Sequence, residues 1–303
     1  MAHSMSEQFR RLVAGTRQGV RRLLPMRLRR DIPVVPVVRL SGVIGVSTPL
    51  NPGITLAGVA RQLERAFTTR NARAVALMIN SPGGSPVQSH LIYRRIRALA
   101  AEHERPVLAF AEDVAASGGY MIACAADEII CDRSSIVGSI GVVGATFGFV
   151  GLMDKLGIER RVYTAGEHKV RLDPFLPEKP EDVQRIESLQ REIHADFIAL
   201  VKASRGARLT GPENDLFSGD YWTGGKAIEL GLADRIGDLR TVLRERFGDK
   251  VVMPLIAPER SFFGRIRPSV GAEQLAGRIR DANLAEEVIS ALEARSLWAR
   301  YGL

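Results

Sequence analysis

The chain has 303 residues, of which 46% are hydrophobic and 25% are charged, and it contains two cysteines. These proportions are typical of a folded globular protein and exclude a disordered, collagen-like or disulfide-rich chain, and the length predicts one or two domains. The 42 lysines and arginines exceed the 34 acidic residues, and the formal net charge of +8 suggests a nucleic acid or an anionic membrane as partner.

The positive charge is concentrated in the first tenth of the chain. Residues 1–30 hold eight arginines and one acid, Glu7, whereas the other 273 residues hold 34 basic and 33 acidic side chains. The body of the protein is therefore almost neutral, and we expect no nucleic-acid partner. We divide the chain into a basic arm (residues 1–33, with 1–4 interpreted as a cloning remnant), a main domain (34–250), and a connector with a C-terminal helix (251–303).

The arm has the pattern of a basic amphipathic helix. Its apolar residues recur at spacings that place them on one helical face, with arginines around the rest. Such a helix is expected to lie on an anionic membrane surface through residues 5–30. A solvated leader, or a helix that packs on another subunit, is the alternative. The charges are not followed by the apolar core of a secretory signal peptide. The apolar face consists of Phe9, Leu12, Val13, Val20, Leu23 and Leu24.

Short β-branched runs alternate with helical stretches from residue 34 onwards, which predicts an α/β fold with mainly parallel strand pairing. Residues 136–153 carry no charge but contain five glycines, so we expect a strand, a turn and a helix start rather than a membrane span. Cys124 and Cys131 are too few for a disulfide framework and indicate reduced thiols in the cytoplasm. The predicted strands are residues 34–46, 74–79, 107–110, 128–131 and 161–163, and the predicted helices are residues 56–67, 86–104, 117–126, 178–204 and 284–297.

Three glycine-marked turns follow apolar runs. In the first, residues 80–84, paired glycines let the backbone approach a ligand and leave amide N–H groups for an anion or an oxyanion, although a plain strand-to-helix turn is equally compatible. In the second, Ser117 stands at the start of an apolar helix beside the Gly118 amide, where it is either a nucleophile or an N-cap.

The third turn, residues 163–169, ends in Lys169. A lysine after a strand is ordinarily a solvated charge. If such a lysine is buried, desolvation can lower its pKa from about 10.4 by as much as 3 to 5 units, and it can then take a proton from a serine hydroxyl.

Together these segments resemble the signal peptide peptidase A family, serine peptidases that use a Ser-Lys dyad. The resemblance implies the Clp protease/crotonase-like fold of repeated β-β-α units, with an N-terminal basic helix and C-terminal helices added here. It covers residues 34–238, about two thirds of the chain. The matching motifs are N-S-P-G-G at residues 80–84, S-G-G-Y at 117–120, G-S-I-G-V at 138–142, A-G-x-x-K at 165–169 with P-F at 174–175, and F-S-G-x-x-W-T-G-x-x-A-x-x-x-G-L-x-D at 217–234.

The resemblance implies a role for each matching residue. Ser117 would be the nucleophile, Lys169 the general base, and Ser139 the partner that holds the lysine amine. A neutral partner suits this task because a carboxylate would stabilise the charged lysine. The backbone N–H groups of Gly84 and Gly118 would form the oxyanion hole. The implied reaction needs no metal and no cofactor.

The histidines are rival bases for Ser117 in a Ser-His-Asp triad. His103 and His194 lie on charged predicted helices, where we expect exposure. His168 neighbours Lys169, but successive side chains of an extended segment point to opposite sides. A histidine base is therefore the less favoured hypothesis.

The sequence thus predicts a serine endopeptidase that acts through an acyl-enzyme on peptides, including signal peptides or other membrane-derived peptides. Many family members have an N-terminal transmembrane helix and work on the outer face of the membrane. The basic arm replaces that helix here and favours a cytoplasmic protein, peripheral on the inner face of the cytoplasmic membrane. Short forms with one domain copy resemble ring-shaped homo-oligomers whose sites draw Ser and Lys from neighbouring subunits.

Two alternatives from other functional classes stay open. An acyl-CoA-processing enzyme of the same fold would use the glycine turns on a thioester and would give Lys169 no role. A non-catalytic membrane-associated assembly protein would keep the fold and lose the chemistry.

Overall fold

The computed structural model describes residues 32–45, 53–257 and 284–303. The predicted amphipathic helix of the arm, residues 5–30, lies outside the described residues, as do residues 258–283 of the predicted connector. No helix within the described ranges is both long enough and apolar enough to cross a membrane.

A mainly parallel sheet forms the centre of the structure. Its strands are β1 (Val37–Ser41), β2 (Val75–Ser81), β3 (Val107–Ala116), β4 (Glu128–Cys131), β5 (Ile136–Gly138), β6 (Tyr221–Thr223) and β7 (Arg235–Ile236). Strands β1, β2, β3, β4 and β7 lie side by side in that order, and each neighbouring pair is parallel. Strand β5 runs parallel to the end of β3, and β6 pairs with β5 in the antiparallel direction.

Helices connect the strands and cover the sheet. They are α1 (Leu56–Phe67), α2 (Pro86–His103), α3 (Gly118–Ala123), α4 (Val150–Leu156), α5 (Pro180–Arg205), α6 (Glu213–Leu216), α7 (Gly224–Glu229), α8 (Leu239–Phe247) and α9 (Leu284–Ala299). Local signals start two of them. The Thr55 side chain accepts a hydrogen bond from the Gly58 N–H before α1, and Pro86 opens α2 behind the N-cap residue Ser85.

The sheet is buried on both faces, which explains its continuous apolar strands. On one face, Val38 belongs to a large cluster with Leu63 of α1, and on the other, Val37 packs with Leu108 and with Val242 of α8. Neighbouring residues of β1 thus point to opposite sides, as the period of a strand requires. The predicted α/β class with mainly parallel pairing is confirmed.

Strand β3 carries an irregularity close to its end. Ile79 of β2 pairs with Ala111 of β3, but Ser81, two residues later, pairs with Ala115, four residues later. The register between the two strands therefore shifts after Ile79. The Asn80 side chain bridges the additional residues, because its Nδ2 donates to Asp113 Oδ2 (2.7 Å) and its Oδ1 accepts from the Val114 N–H (3.3 Å). A bulge of this kind bends a strand and re-aims its end, and the residue that follows β3 is Ser117.

One predicted strand is wrong. Residues 161–163 are exposed and have no regular secondary structure. No described strand lies beside them, and a strand without a partner leaves its backbone groups unpaired. Residues 165–172 form bends and turns, so the extended conformation predicted around His168 and Lys169 is wrong as well.

The last helix attaches to the end of β3. Trp298 packs against a cluster that consists of Tyr301 and of Val114 and Ala116 of that strand. The chain then turns, and the Tyr301 N–H donates to the Trp298 carbonyl (2.9 Å). This docking brings the residues after α9 close to the turn that contains Ser117.

Candidate active site

Ser117 lies at the sharp turn between β3 and α3, with a φ of 51° and a ψ of −123°. A positive φ in a serine costs on the order of 1–3 kcal/mol and persists only where the surrounding structure holds it. Here the Ser117 N–H donates to the Gly138 carbonyl (2.8 Å), and the Ser117 carbonyl accepts from the Met121 N–H (2.9 Å). The hydroxyl makes no capping bond to α3. The turn therefore presents a half-buried hydroxyl that does not serve as a helix cap.

The glycine turn after β2 packs directly against Ser117. A Cβ atom on Gly83 would lie 2.7 Å from the Ser117 Cβ, and one on Gly84 would lie 2.1 Å from the Ile44 carbonyl oxygen. Both glycines also have positive φ angles, 105° and 140°. Only glycine fits these positions, because a side chain would collide with its neighbours and strain the backbone.

The backbone N–H groups of Gly84 and Gly118 belong to the two turns that meet at Ser117. Among the described residues, neither the Gly84 N–H nor the Gly118 N–H has a hydrogen-bond acceptor. The Gly118 N–H belongs to the first turn of α3, where N–H groups have no partner within the helix. A Cβ atom on Gly83 would lie 3.0 Å from both the Gly118 nitrogen and the Ser117 Oγ, so these two groups are close neighbours. Unpaired N–H groups in such a place can stabilise a developing oxyanion.

Ser139 lies in the same cavity as Ser117. The cavity has a volume of about 640 Å³, and its lining includes Gly84, Ser117 and Ser139. Ser139 follows β5 and also has a positive φ, 53°, and its N–H donates to the Asp220 carbonyl (2.7 Å). Apolar side chains complete much of the wall, from Val43, Ile44, Val142, Val143 and Leu297.

Tyr301, which the sequence did not indicate, closes part of this cavity. It is 9% exposed, its hydroxyl donates to the Pro82 carbonyl (3.5 Å), and its ring meets the edge of Tyr221 at a centroid distance of 5.0 Å. Burial raises the pKa of Tyr301, and a hydrogen bond with the Ser139 side chain acts in the opposite direction. No local pattern marks this residue, because its place depends on where α9 docks.

His194 also lines the cavity, so its predicted exposure is wrong. It is half-buried, and its Nε2 lies 2.9 Å from the Ile140 carbonyl oxygen. A carbonyl oxygen can only accept a hydrogen bond, so Nε2 is the donor in this contact. Charged residues run along the whole of α5, so the turn of the helix that faces the cavity is not recognisable from sequence.

Lys169 is not brought to Ser117 within one chain. It is exposed, lies in a run of turns, and is absent from the residues that line the cavity. Gly166 permits the turn with a φ of 106°, and its carbonyl accepts from the Lys169 N–H (3.3 Å). The structure therefore gathers four of the five residues that the resemblance implied and leaves the lysine in solvent.

Residues 143–169, which we term the exposed segment, protrude from the packed core. All of them are exposed except Val150 and Met153, which are half-buried, and α4 buries no residue. A large apolar surface of this kind marks an interaction site. One end of the segment, Val143, lines the cavity, and the other end is Lys169. Its most exposed apolar residues, each more than half exposed, are Val143, Phe147, Leu152, Leu156, Ile158 and Tyr163.

The described part of the chain contains no group of three or more His, Cys, Asp or Glu side chains placed to hold a metal ion. Cys124 and Cys131 are buried free thiols. Burial raises the pKa of Cys124 to about 12 and that of Cys131 to about 11. Both thiols therefore stay protonated near neutral pH.

The chain is similar to several known proteins. A family model described as Peptidase family S49 matches residues 100–251. A Na(+)/H(+) antiporter NhaA of Brucella abortus is 54% identical over 289 residues, which cover 94% of this chain and 39% of that protein. The chloroplastic serine protease SPPA of Arabidopsis thaliana is 34% identical (68% of this chain, 31% of that protein), and Protease 4 of Haemophilus influenzae is also 34% identical (73% and 36%). The chain thus spans between 31% and 39% of the length of these relatives.

Proposed function

Because the chain belongs to peptidase family S49, the family of signal peptide peptidase A, we propose that it is a serine endopeptidase with Ser117 as its nucleophile. One observation carries this proposal. The uncapped hydroxyl of Ser117 sits on a strained turn, inside a cavity, beside two N–H groups that have no acceptor among the described residues. Nucleophilic acyl transfer needs this combination of an accessible hydroxyl and oxyanion donors.

The reaction proceeds in two halves. The base takes the Ser117 hydroxyl proton while Oγ attacks the peptide carbonyl carbon, and the N–H groups of Gly84 and Gly118 stabilise the resulting oxyanion. The C–N bond then breaks, the leaving amine takes the proton back from the base, and an acyl-enzyme remains. In the second half a water molecule gives its proton to the base, attacks the ester, and releases the acid and the Ser117 hydroxyl.

We assign the general base to Lys169 of a second copy of the chain. Within one copy this lysine is exposed and lies outside the cavity. A lysine amine surrounded by water is protonated at neutral pH and cannot act as a base, whereas packing of another copy over it would disfavour the charged form. The apolar exposed segment supplies the surface for such packing, and it carries the lysine.

The proposed substrates are extended peptides, including signal peptides and other membrane-derived peptides. The apolar wall of the cavity suits small or hydrophobic side chains near the cleaved bond.

Two observations support a location of the protein at the inner face of the cytoplasmic membrane. Residues 1–30 carry eight arginines and one acid, and the similar Brucella protein, named as an ion antiporter, is more than twice as long as the region it shares with this chain.

Hydrolysis of fluorogenic peptides by the purified full chain tests the activity. We expect Ser117→Ala and Lys169→Ala each to lower kcat by at least about a thousandfold, and Lys155→Ala, a matched lysine of the exposed segment, to leave kcat within about twofold. A lysine base also predicts a rate that rises between about pH 7 and pH 9. Wild-type activity in Ser117→Ala would refute the proposal, and a rate that stays flat down to about pH 6 would argue against a lysine base.

A mixing experiment separates a base in the same chain from one in a neighbour. The inactive variants Ser117→Ala and Lys169→Ala are co-expressed with different tags, and the mixed assemblies are purified through both tags. A dyad across copies predicts recovery of about one quarter of wild-type activity. In a random assembly about half of the sites keep Ser117, and about half of these face a neighbour that keeps Lys169. A dyad within one chain predicts no recovery.

A further inference from the structure

Tyr301 fills space beside the two turns that meet at Ser117. It belongs to a buried cluster with Val114 and Ala116, and Ala116 is the residue directly before Ser117. The Tyr301 hydroxyl lies 3.5 Å from the carbonyl oxygen of Pro82, which belongs to the glycine turn. The side chain therefore reaches both turns and forms part of the cavity wall close to the proposed nucleophile.

The Tyr301 ring is held in this place by residues behind it. The Tyr221 ring packs against it edge-on at a centroid distance of 5.0 Å, and the Tyr221 hydroxyl donates to the Arg300 carbonyl (3.0 Å). Trp298 packs against the cluster that contains Tyr301. Tyr301 is 9% exposed. A side chain that is packed in this way gives way to a ligand only by losing its contacts.

The rest of the wall near the nucleophile is made of small residues. Gly84, Ser117 and Ser139 line the same cavity. Among the described residues in the lining, Tyr301 has the largest side chain. The size of the space beside Ser117 therefore depends on this one ring.

We propose that Tyr301 is a specificity-determining residue, which limits the size of the substrate side chain on the carbonyl side of the cleaved bond. This inference rests on the proposed function. Ser117 attacks the carbonyl carbon of that substrate residue, whose side chain must then lie within the wall around Ser117. The phenol ring occupies part of this space, so alanine fits, whereas leucine or phenylalanine collides with a close-packed wall. The preferred substrates are then extended peptides with a small residue before the cleaved bond.

The test compares two fluorogenic peptides that differ only in alanine or phenylalanine before the cleaved bond. We expect the wild type to favour the alanine peptide. In Tyr301→Ala, the kcat/KM for the phenylalanine peptide, divided by that for the alanine peptide, should rise at least about tenfold, which is the lower end of what a hydrophobic pocket achieves for a single methylene. A merely structural role of Tyr301 would lower both rates by the same factor and leave this ratio unchanged.

Three further variants control the comparison. Tyr301→Phe keeps the ring and should keep the wild-type ratio. Tyr301→Leu keeps an apolar side chain in the cluster and should shift the ratio in the same direction as Tyr301→Ala, so the result does not depend on the folding of one variant. Leu292→Ala truncates a side chain of α9 that is 62% exposed and lies outside the cavity lining, and it should change neither rate.

Peptide binding tests the same size limit without catalysis. The two peptides are titrated into Ser117→Ala and into the double variant Ser117→Ala/Tyr301→Ala, and fluorescence anisotropy gives the dissociation constants. We expect Ser117→Ala to bind the alanine peptide more tightly. The second substitution should shift the ratio of the two dissociation constants at least about tenfold towards the phenylalanine peptide.

The outcomes separate this inference from the proposed function. If the wild type cleaves both peptides equally well, or Tyr301→Ala keeps the wild-type ratio, the size limit is refuted and the peptidase stands. If the wild type is inactive, or Ser117→Ala hydrolyses peptides, the proposed function is refuted. The binding ratio then decides whether Tyr301 limits the size of the ligand, and an unchanged ratio overturns this role as well.

Discussion

Ser117 and Ser139 share a backbone geometry that serines seldom adopt, with φ angles of 51° and 53°. Each is held by its own N–H, which donates to the Gly138 carbonyl and to the Asp220 carbonyl respectively. Gly138 is the last residue of β5, and Asp220 directly precedes β6, the strand that pairs with β5. The strained backbone at these two residues places both hydroxyls in one cavity. Hydrogen bonds to the sheet hold this backbone conformation.

The glycine turn offers the sharpest test at a single residue. Gly84→Ala would place a Cβ atom 2.1 Å from the Ile44 carbonyl oxygen at a φ of 140°. We expect the free energy of unfolding to fall by about 1–3 kcal/mol. We also expect kcat/KM to fall at least about tenfold, because the N–H group that we propose as an oxyanion donor moves. Urea unfolding and peptide hydrolysis measure the two effects.

Gly225→Ala is the matched control for this change. No atom lies within 4 Å of a Cβ at that position, and Gly225 lies in α7. The substitution should leave stability unchanged or slightly raised, and activity unchanged. Wild-type activity in Gly84→Ala would show that the turn has no part in the chemistry.

His194 provides a second test at the residue scale, because it lines the cavity and is the rival base. His194→Gln keeps a donor for the Ile140 carbonyl and removes the titrating ring. We expect kcat within about threefold of the wild type and an unchanged pH–rate profile, since the proposed base is a lysine. A loss of about a thousandfold would instead assign the base to His194.

At the scale of elements, a buried ion pair joins the end of α5 to the sheet. Arg205, whose side chain is 1% exposed, donates two hydrogen bonds of 2.8 Å to Asp234. Asp234 also accepts from the Ile129 N–H (2.7 Å), at the start of β4. Burial alone would raise the pKa of Asp234, but the bonds from Arg205 and Ile129 and the charges of Arg205 and Arg208 outweigh burial and lower it.

Asp234→Asn tests what this pair contributes. We expect the free energy of unfolding at pH 7 to fall by about 3 kcal/mol, because a buried guanidinium loses its charged partner. A lowered pKa in the folded state means that the stabilisation is present above the ordinary carboxyl range and disappears as the pH falls through the folded pKa. The difference in the free energy of unfolding between wild type and Asp234→Asn should therefore decrease below about pH 4.

Urea unfolding at pH 7 and at acid pH measures both effects. Glu229→Gln is the control, because it breaks an exposed pair with Lys226 (2.8 Å) and should change stability little. An equal loss in the two variants, or a difference that does not depend on pH, would contradict the assigned role of the buried pair.

At the scale of the whole molecule, the exposed segment stands apart from a well-packed body. Leu152 and Leu156 of α4 are 52% and 62% exposed. We expect the chain to self-associate through this surface and to form its dyad there.

Leu152→Lys combined with Leu156→Lys should shift the protein to a smaller species in sedimentation velocity. The same variant should lose most peptide hydrolysis, since charges on an apolar interface oppose association. Leu255→Lys is the control, because Leu255 is 61% exposed and lies outside the exposed segment. It should change neither the sedimentation nor the peptide hydrolysis. A wild-type chain that sediments as an active monomer would contradict the shared site.

The sequence by itself determined the α/β class, the parallel strands, the long helix α5 and the turns that present Ser117 and the paired glycines. Periodicity and turn chemistry act over a few residues, so these features are visible in one segment at a time. Tertiary structure alone decided three other features. They are the bulge in β3, the position of His194 and Tyr301 in the cavity wall, and the absence of a strand at residues 161–163. Each depends on which distant segment packs alongside, and a strand or a cavity wall exists only where its partner is present.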